Sequence, residues 1–110
     1  MKKVTTPIEE LDRDRRRGRT ADLGCQPIIS VAPRSRARLS GEVKSVRIVP
    51  RSGAPTLEVI IDDGHGKATA VFFGRRHLAG ITPGRHVVVE GMTLPDRHRI
   101  VLYNPAYTLL

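Results

Sequence analysis

The sequence predicts an all-β fold: five short strands, with one short helix between the third and the fourth. Three observations carry that reading. Apolar side chains recur at every second position in the stretches that follow Ala37, which is the period of a half-buried strand. Turn-forming residues punctuate those stretches at short intervals, as they do in small all-β domains. A single run, residues 75–81, has instead the length of one or two helical turns.

Residues 1–24 read as a short helix and a basic linker. Thr6 suits an N-cap, Pro7 a first helical residue and Glu9 the acidic position of a capping box. Ile8 and Leu11 form only a thin apolar stripe, and residues 13–19 have nothing to bury. The segment is therefore either a mobile, solvated terminus or a basic arm that tracks a phosphate backbone. Residues 25–35 read as extended, because Pro27 and Pro33 oppose a helix and disfavour a central strand.

The first strand covers residues 37–49. Leu39, Gly41 and Val43 alternate, then Val46 and Ile48 continue on the opposite parity. A slip of one is what a β-bulge produces, so this strand should be long and strongly bent. Residues 50–55 form a loop. Thr56–Asp62 is the second strand, with Leu57, Val59 and Ile61 on one face. Residues 62–66 are a turn, and Lys67–Phe73 returns as the third strand. After the helix at 75–81 comes a turn at 82–84 and a fourth strand at 87–92. A turn at 95–98 leads to the fifth strand, 100–103, and Tyr107, Leu109 and Leu110 close over the core. This is the layout of the OB-fold, a five-stranded Greek-key barrel, here occupying residues 25–110.

The chain has 110 residues, 19 Lys+Arg against 11 Asp+Glu, and a formal charge of +8. Its 39% hydrophobic and 27% charged content suit one globular domain. The charge is uneven: residues 1–32 have a net +2 and residues 33–110 a net +6. The excess thus sits on the part that folds, where it can line a groove for a polyanion. Fifteen of the 19 basic residues are arginine, whose planar fork suits phosphate. No stretch is long and apolar enough for a membrane span, and no secretory signal is present. The lone Cys25 excludes an internal disulfide and a cysteine-based zinc site. These features point to the cytoplasm.

The candidate binding residues are mostly cationic. Arg34, Arg36 and Arg38 are spaced by two, so an extended segment projects them to one side. Lys44, Arg47 and Arg51 follow along the first strand and into the next loop, and Lys67 opens the third strand. Arg75 and Arg76 sit where a phosphate clamp could close one end of a groove, and Arg97 and Arg99 flank the last hairpin. The other reading of each is ordinary solvated charge. Phe72 and Phe73 must point to opposite faces. Phe73 shares its parity with Lys67 and Thr69, which read as solvent-facing, so Phe73 is expected to point outward and stack a base. Otherwise it packs under the short helix or the N-terminal segment. Four aromatics in the whole chain limit stacking and favour backbone-led recognition.

Catalytic and metal chemistry find little support. Gly64-His-Gly-Lys67 fails as a phosphate-binding loop, because residue 61 is Ile and residue 68 is Ala. Asp62 and Asp63 begin a turn rather than form a catalytic pair. His65, His77, His86 and His98 lack the spacing of a metal site, and no nucleophile–base pair stands out. No cofactor and no small-molecule substrate are expected.

Three segments carry a family resemblance. Arg38-Leu-Ser-Gly-Glu-Val43 resembles the opening strand of OB-fold domains, and Asp62-Asp-Gly-His-Gly-Lys-Ala-Thr-Ala-Val-Phe-Phe73 resembles their second hairpin. Pro83-Gly-Arg-His-Val-Val-Val-Glu-Gly91 resembles their fourth strand. Over residues 25–110 the chain is similar to small actinobacterial OB-fold nucleic-acid-binding proteins. Those in turn are similar to the anticodon-binding domains of tRNA synthetases and the wedge domain of RecG-type helicases. The resemblance implies non-catalytic binding of single-stranded or branched DNA, or of RNA, by an accessory factor in replication, repair or RNA metabolism. The competing reading is a protein-interaction module whose arginine face meets an acidic partner.

Overall fold

A computed structural model describes residues 24–110. The expected N-terminal helix and basic linker lie outside the described residues. Six strands follow a 3-10 turn at Ile28–Ser30: β1 (Arg36–Ile48), β2 (Thr56–Asp62), β3 (Lys67–Phe73), β4 (His86–Asp96), β5 (Arg99–Tyr103) and β6 (Ala106–Leu109). The sheet order is β1-β2-β3-β5-β4-β6, and β1 also pairs with β4. That extra pairing closes five strands into a ring, with β6 added at the edge of β4.

The bent first strand is the hinge of this arrangement. Its first half, Arg36 to Glu42, pairs with β4, and its second half, Glu42 to Ile48, pairs with β2. The register shifts between Val43 and Ser45, which leaves Lys44 as the bulge residue where the sequence parity slips. Gly41 lies just before the shift. A Cβ there would stand 2.7 Å from the Asp62 carbonyl oxygen, so the crossing of β1 over β2 needs glycine.

The core fills the ring. Leu39, Val43, Leu57, Val59, Ile61, Val87, Val89 and Leu102 are its largest fully buried members, all from alternating strand positions. Phe72 enters it and meets Tyr107 edge to face at 6.0 Å.

Four sequence expectations change. No helix joins β3 and β4: the segment is turns and bends. Gly74 and Gly80 take left-handed φ values of 72° and 81°, and Pro83 follows, so the run is too short to repay helix nucleation. Leu78 and Ile81 nevertheless enter the core, from a run whose length alone had suggested a helix. Residues 25–35 are not wholly extended, since Pro27 leads into the 3-10 turn. That turn is held by the Ile28 N–H donating to Asp63 Oδ2 at 2.9 Å. The fourth strand runs on to Asp96, and its hairpin turns on Arg97 and His98 alone, both with positive φ. Finally, Tyr107 and Leu109 reach the core from a sixth strand.

Candidate nucleic-acid interface

The outward side of β2, β3 and β5 can be read rung by rung. Arg47 lies opposite Glu58, Glu58 opposite Val71, and Val71 beside Tyr103. The neighbouring rung on that face runs Ser45, Ile60, Thr69, Val101 and Leu94. Alternate residues share a face, so Phe73 flanks the first rung, while Lys67 and Arg99 flank the second. Val71 and Val101 are buried yet stand apart from the main core, and they form the floor of this face. Thr69, expected to meet solvent, is buried between Ile60 and Val101 on the same floor.

One end of the face is aromatic. Phe73 is 47% exposed and points outward. Its ring stacks on Tyr103 with centroids 5.6 Å apart and planes 5° from parallel. Asn104, at φ 50°, fixes the corner: its N–H donates to the Val71 carbonyl and its Oδ1 accepts from the Phe73 N–H at 3.0 Å. The Phe73 partner was missed at the sequence level. The parity of Arg99, Val101 and Tyr103 was the available signal, since it puts Tyr103 on the same side as Arg99. Two of the chain's four aromatics therefore form one outward pair.

Tight hairpins carry cations at both ends. Near the aromatic end, Arg51 and Ala54 exchange backbone hydrogen bonds around Ser52 and Gly53, both at positive φ. At the other end, Arg97 and His98 form the exposed tip of the β4–β5 hairpin, and Arg99 pairs with Asp96 at 2.7 Å. Lys67 is exposed at this end of β3. Arg75 and Arg76 lie just beyond Phe73, exposed, with no ion pair among the described residues.

Near the middle lies a buried acid. The Glu58 side chain is only 5% exposed, and it accepts from Arg47 Nη2 at 3.3 Å and Arg51 Nη2 at 2.9 Å. Burial pushes its pKa up, but the hydrogen bonds from Arg51 and Arg47 outweigh burial and hold it below the usual carboxylate value. The same bond raises the Arg51 pKa.

The structure does not bring all the predicted cations to this face. Arg36 and Arg38 flank Glu90 at 3.9 and 2.8 Å, on the β1–β4 side of the ring. Lys44 sits at the bulge and pairs with Glu42 at 3.4 Å. Arg34 is off the strand altogether: it lies in a turn at φ 60°, and its N–H donates to the Thr93 carbonyl. The three-arginine line thus fails at its first member.

Asp62 and Asp63 act as turn-builders. Asp62 Oδ1 accepts from the Gly64 N–H, and Asp63 Oδ1 from those of His65 and Gly66. Among the described residues, no group of His, Cys, Asp and Glu is placed to hold a metal ion, and no helix is long and apolar enough to cross a membrane. Residues 37–110 match the family model tRNA_anti-codon, the OB-fold nucleic acid binding domain, over more than half of the chain. No curated protein matches the chain.

Proposed function

Because the chain belongs to the family of OB-fold nucleic acid binding domains, we propose that it is a non-catalytic module for single-stranded DNA or RNA, serving as an accessory factor to nucleic-acid transactions. The strand crosses the outward face of β2, β3 and β5. Arg47, Arg51, Lys67, Arg97 and Arg99 meet phosphates, Arg75 and Arg76 extend that path, and the Phe73–Tyr103 pair stacks a base. The observation that carries this reading is the single outward aromatic pair set among cations on one face. Stacking tolerates any base, and phosphate contacts carry no sequence information, so recognition is backbone-led and weakly sequence-dependent.

Fluorescence anisotropy with labelled DNA and RNA, single-stranded and forked, tests it across a salt series. Each phosphate contact on a single strand contributes about −0.7 to the slope of log K against log salt. The seven cations on this path then give about −4.9. If Arg36, Arg38 and Lys44 joined them, the slope would approach −7, that is about ten contacts. Absence of binding at about 50 mM salt would sink the proposal, since phosphate contacts are strongest there. An acidic protein partner would then be the better reading.

A further inference from the structure

We infer that Glu58 is a positioning residue for nucleic-acid binding: it fixes Arg47 and Arg51 as a preset pair of phosphate forks. The inference rests on the reading that the β2–β3–β5 face takes nucleic acid. A carboxylate near the middle of such a face is at first sight a liability, because it repels the phosphates the face must attract. Its placement argues the other way. The carboxylate is almost fully desolvated, whereas the Arg47 and Arg51 side chains are 64% and 43% exposed. Its charge is therefore spent inward on two guanidinium groups, while each guanidinium still turns N–H groups to solvent.

The geometry splits the load between the two oxygens. Oε1 accepts from Arg47 and Oε2 from Arg51, each through Nη2, which leaves Nε and Nη1 of both arginines without a bond to Glu58. One arginine comes from β1 and the other from the tight turn after it, so a single acid registers two elements against β2. Ion pairs between exposed side chains contribute little, but a buried acceptor is different, because leaving it unpaired is costly. That cost keeps both arginines in place before a ligand arrives. Ordering a long side chain at an interface otherwise opposes binding, and here that ordering is already done.

The inference makes a prediction opposite in sign to simple electrostatics. Glu58→Gln removes one negative charge from the protein, and a competing carboxylate would on removal tighten the grip on a polyanion. A positioning carboxylate would on removal weaken it, by about tenfold for two released arginines. Binding of full-length Glu58→Gln and Glu58→Met to a labelled oligothymidylate, compared with wild type, decides between them. Folding of each is checked by circular dichroism. Weaker binding by folded variants supports the inference; equal or tighter binding overturns it. If neither variant folds, Arg47→Lys and Arg51→Lys decide, since both keep the charge and lose the fork. A loss of about threefold or more in each, with an unchanged salt slope, supports preset forks. Unchanged affinity overturns them. If wild type itself does not bind, the underlying reading has failed and Glu58 is not at issue.

Discussion

Truncating Phe73 to alanine separates a binding platform from a piece of core, and the structure sets both magnitudes. Phe73 is 47% exposed, so the substitution removes about half of the ~3 kcal/mol that full burial of a phenylalanine contributes. It also breaks the stacked contact with Tyr103, which adds about 0.5–1.5 kcal/mol. The stability loss is then about 2–3 kcal/mol, which a domain of ordinary stability survives. The loss on the ligand side is of a different kind. One unstacked base costs about 1–3 kcal/mol, or roughly 5- to 150-fold in Kd. Anisotropy with a labelled single strand reads the second quantity, and urea denaturation reads the first. Met92→Ala is the matched control: Met92 is similarly exposed but lies opposite Arg36 on the β1–β4 side. It should leave Kd unchanged. A folded Phe73→Ala variant with wild-type affinity for both DNA and RNA would refute the platform.

Three further perturbations test the frame that holds the face. Gly41→Ala places a Cβ 2.7 Å from the Asp62 carbonyl oxygen, and the resulting shift of β1 against β2 should cost about 1–3 kcal/mol in urea denaturation. Burial tends to raise the Asp63 pKa, but backbone N–H bonds from Ile28, His65 and Gly66 outweigh it and hold the carboxyl below the usual aspartate range. A depressed folded pKa contributes stability that is present above the unfolded value and lost as pH falls through the folded one. Asp63→Asn should therefore lower the melting temperature at neutral pH and flatten its fall below pH about 4. Replacing Arg97 and His98 by Asn-Gly fits their positive φ values of 53° and 70°, so it should raise stability by about 1 kcal/mol while weakening strand binding. A variant that is more stable and binds as before would remove Arg97 from the interface.

Much of the fold was legible because its signals are local. The period of two marks β2 and β3 to the residue, and the parity slip after Val43 locates the bulge. What escaped depends on partners far along the chain. Ala106–Leu109 is four residues after a proline, and only the ladder to Val87–Glu90 makes it a strand. Pro95 reads as a breaker, yet it sits in an antiparallel ladder opposite Ile100. The hairpin that follows turns on Arg97 and His98, neither of which is the asparagine or glycine that announces such a turn.

The site was less legible than the fold, and β1 shows why. Arg36, Arg38 and Lys44 share one parity along it, and a slip of one would bring Arg47 to the same side, which invites one groove. Lys44 breaks that line by occupying the bulge, but parity is the lesser effect. The greater one is that β1 changes partner near Glu42, from β4 to β2, while the ring curves. Arg36 and Arg38 consequently look out beside Glu90, and Arg47 beside Glu58. Charge summed over residues 33–110 therefore overstates what any one side of the ring presents. The aromatic count errs in the opposite direction. Four aromatics suggested a poor stacking surface, but the sheet places two of them, thirty residues apart in sequence, in parallel contact on the same face as Arg47 and Arg51. Pairing across β3 and β5 is what concentrates them, and that pairing is parallel and non-local, beyond the reach of any window along the chain. The face is accordingly richer in aromatic surface and poorer in cations than composition implies, so the salt slope and the Phe73 variant, measured together, test whether it is a binding platform or a merely basic surface.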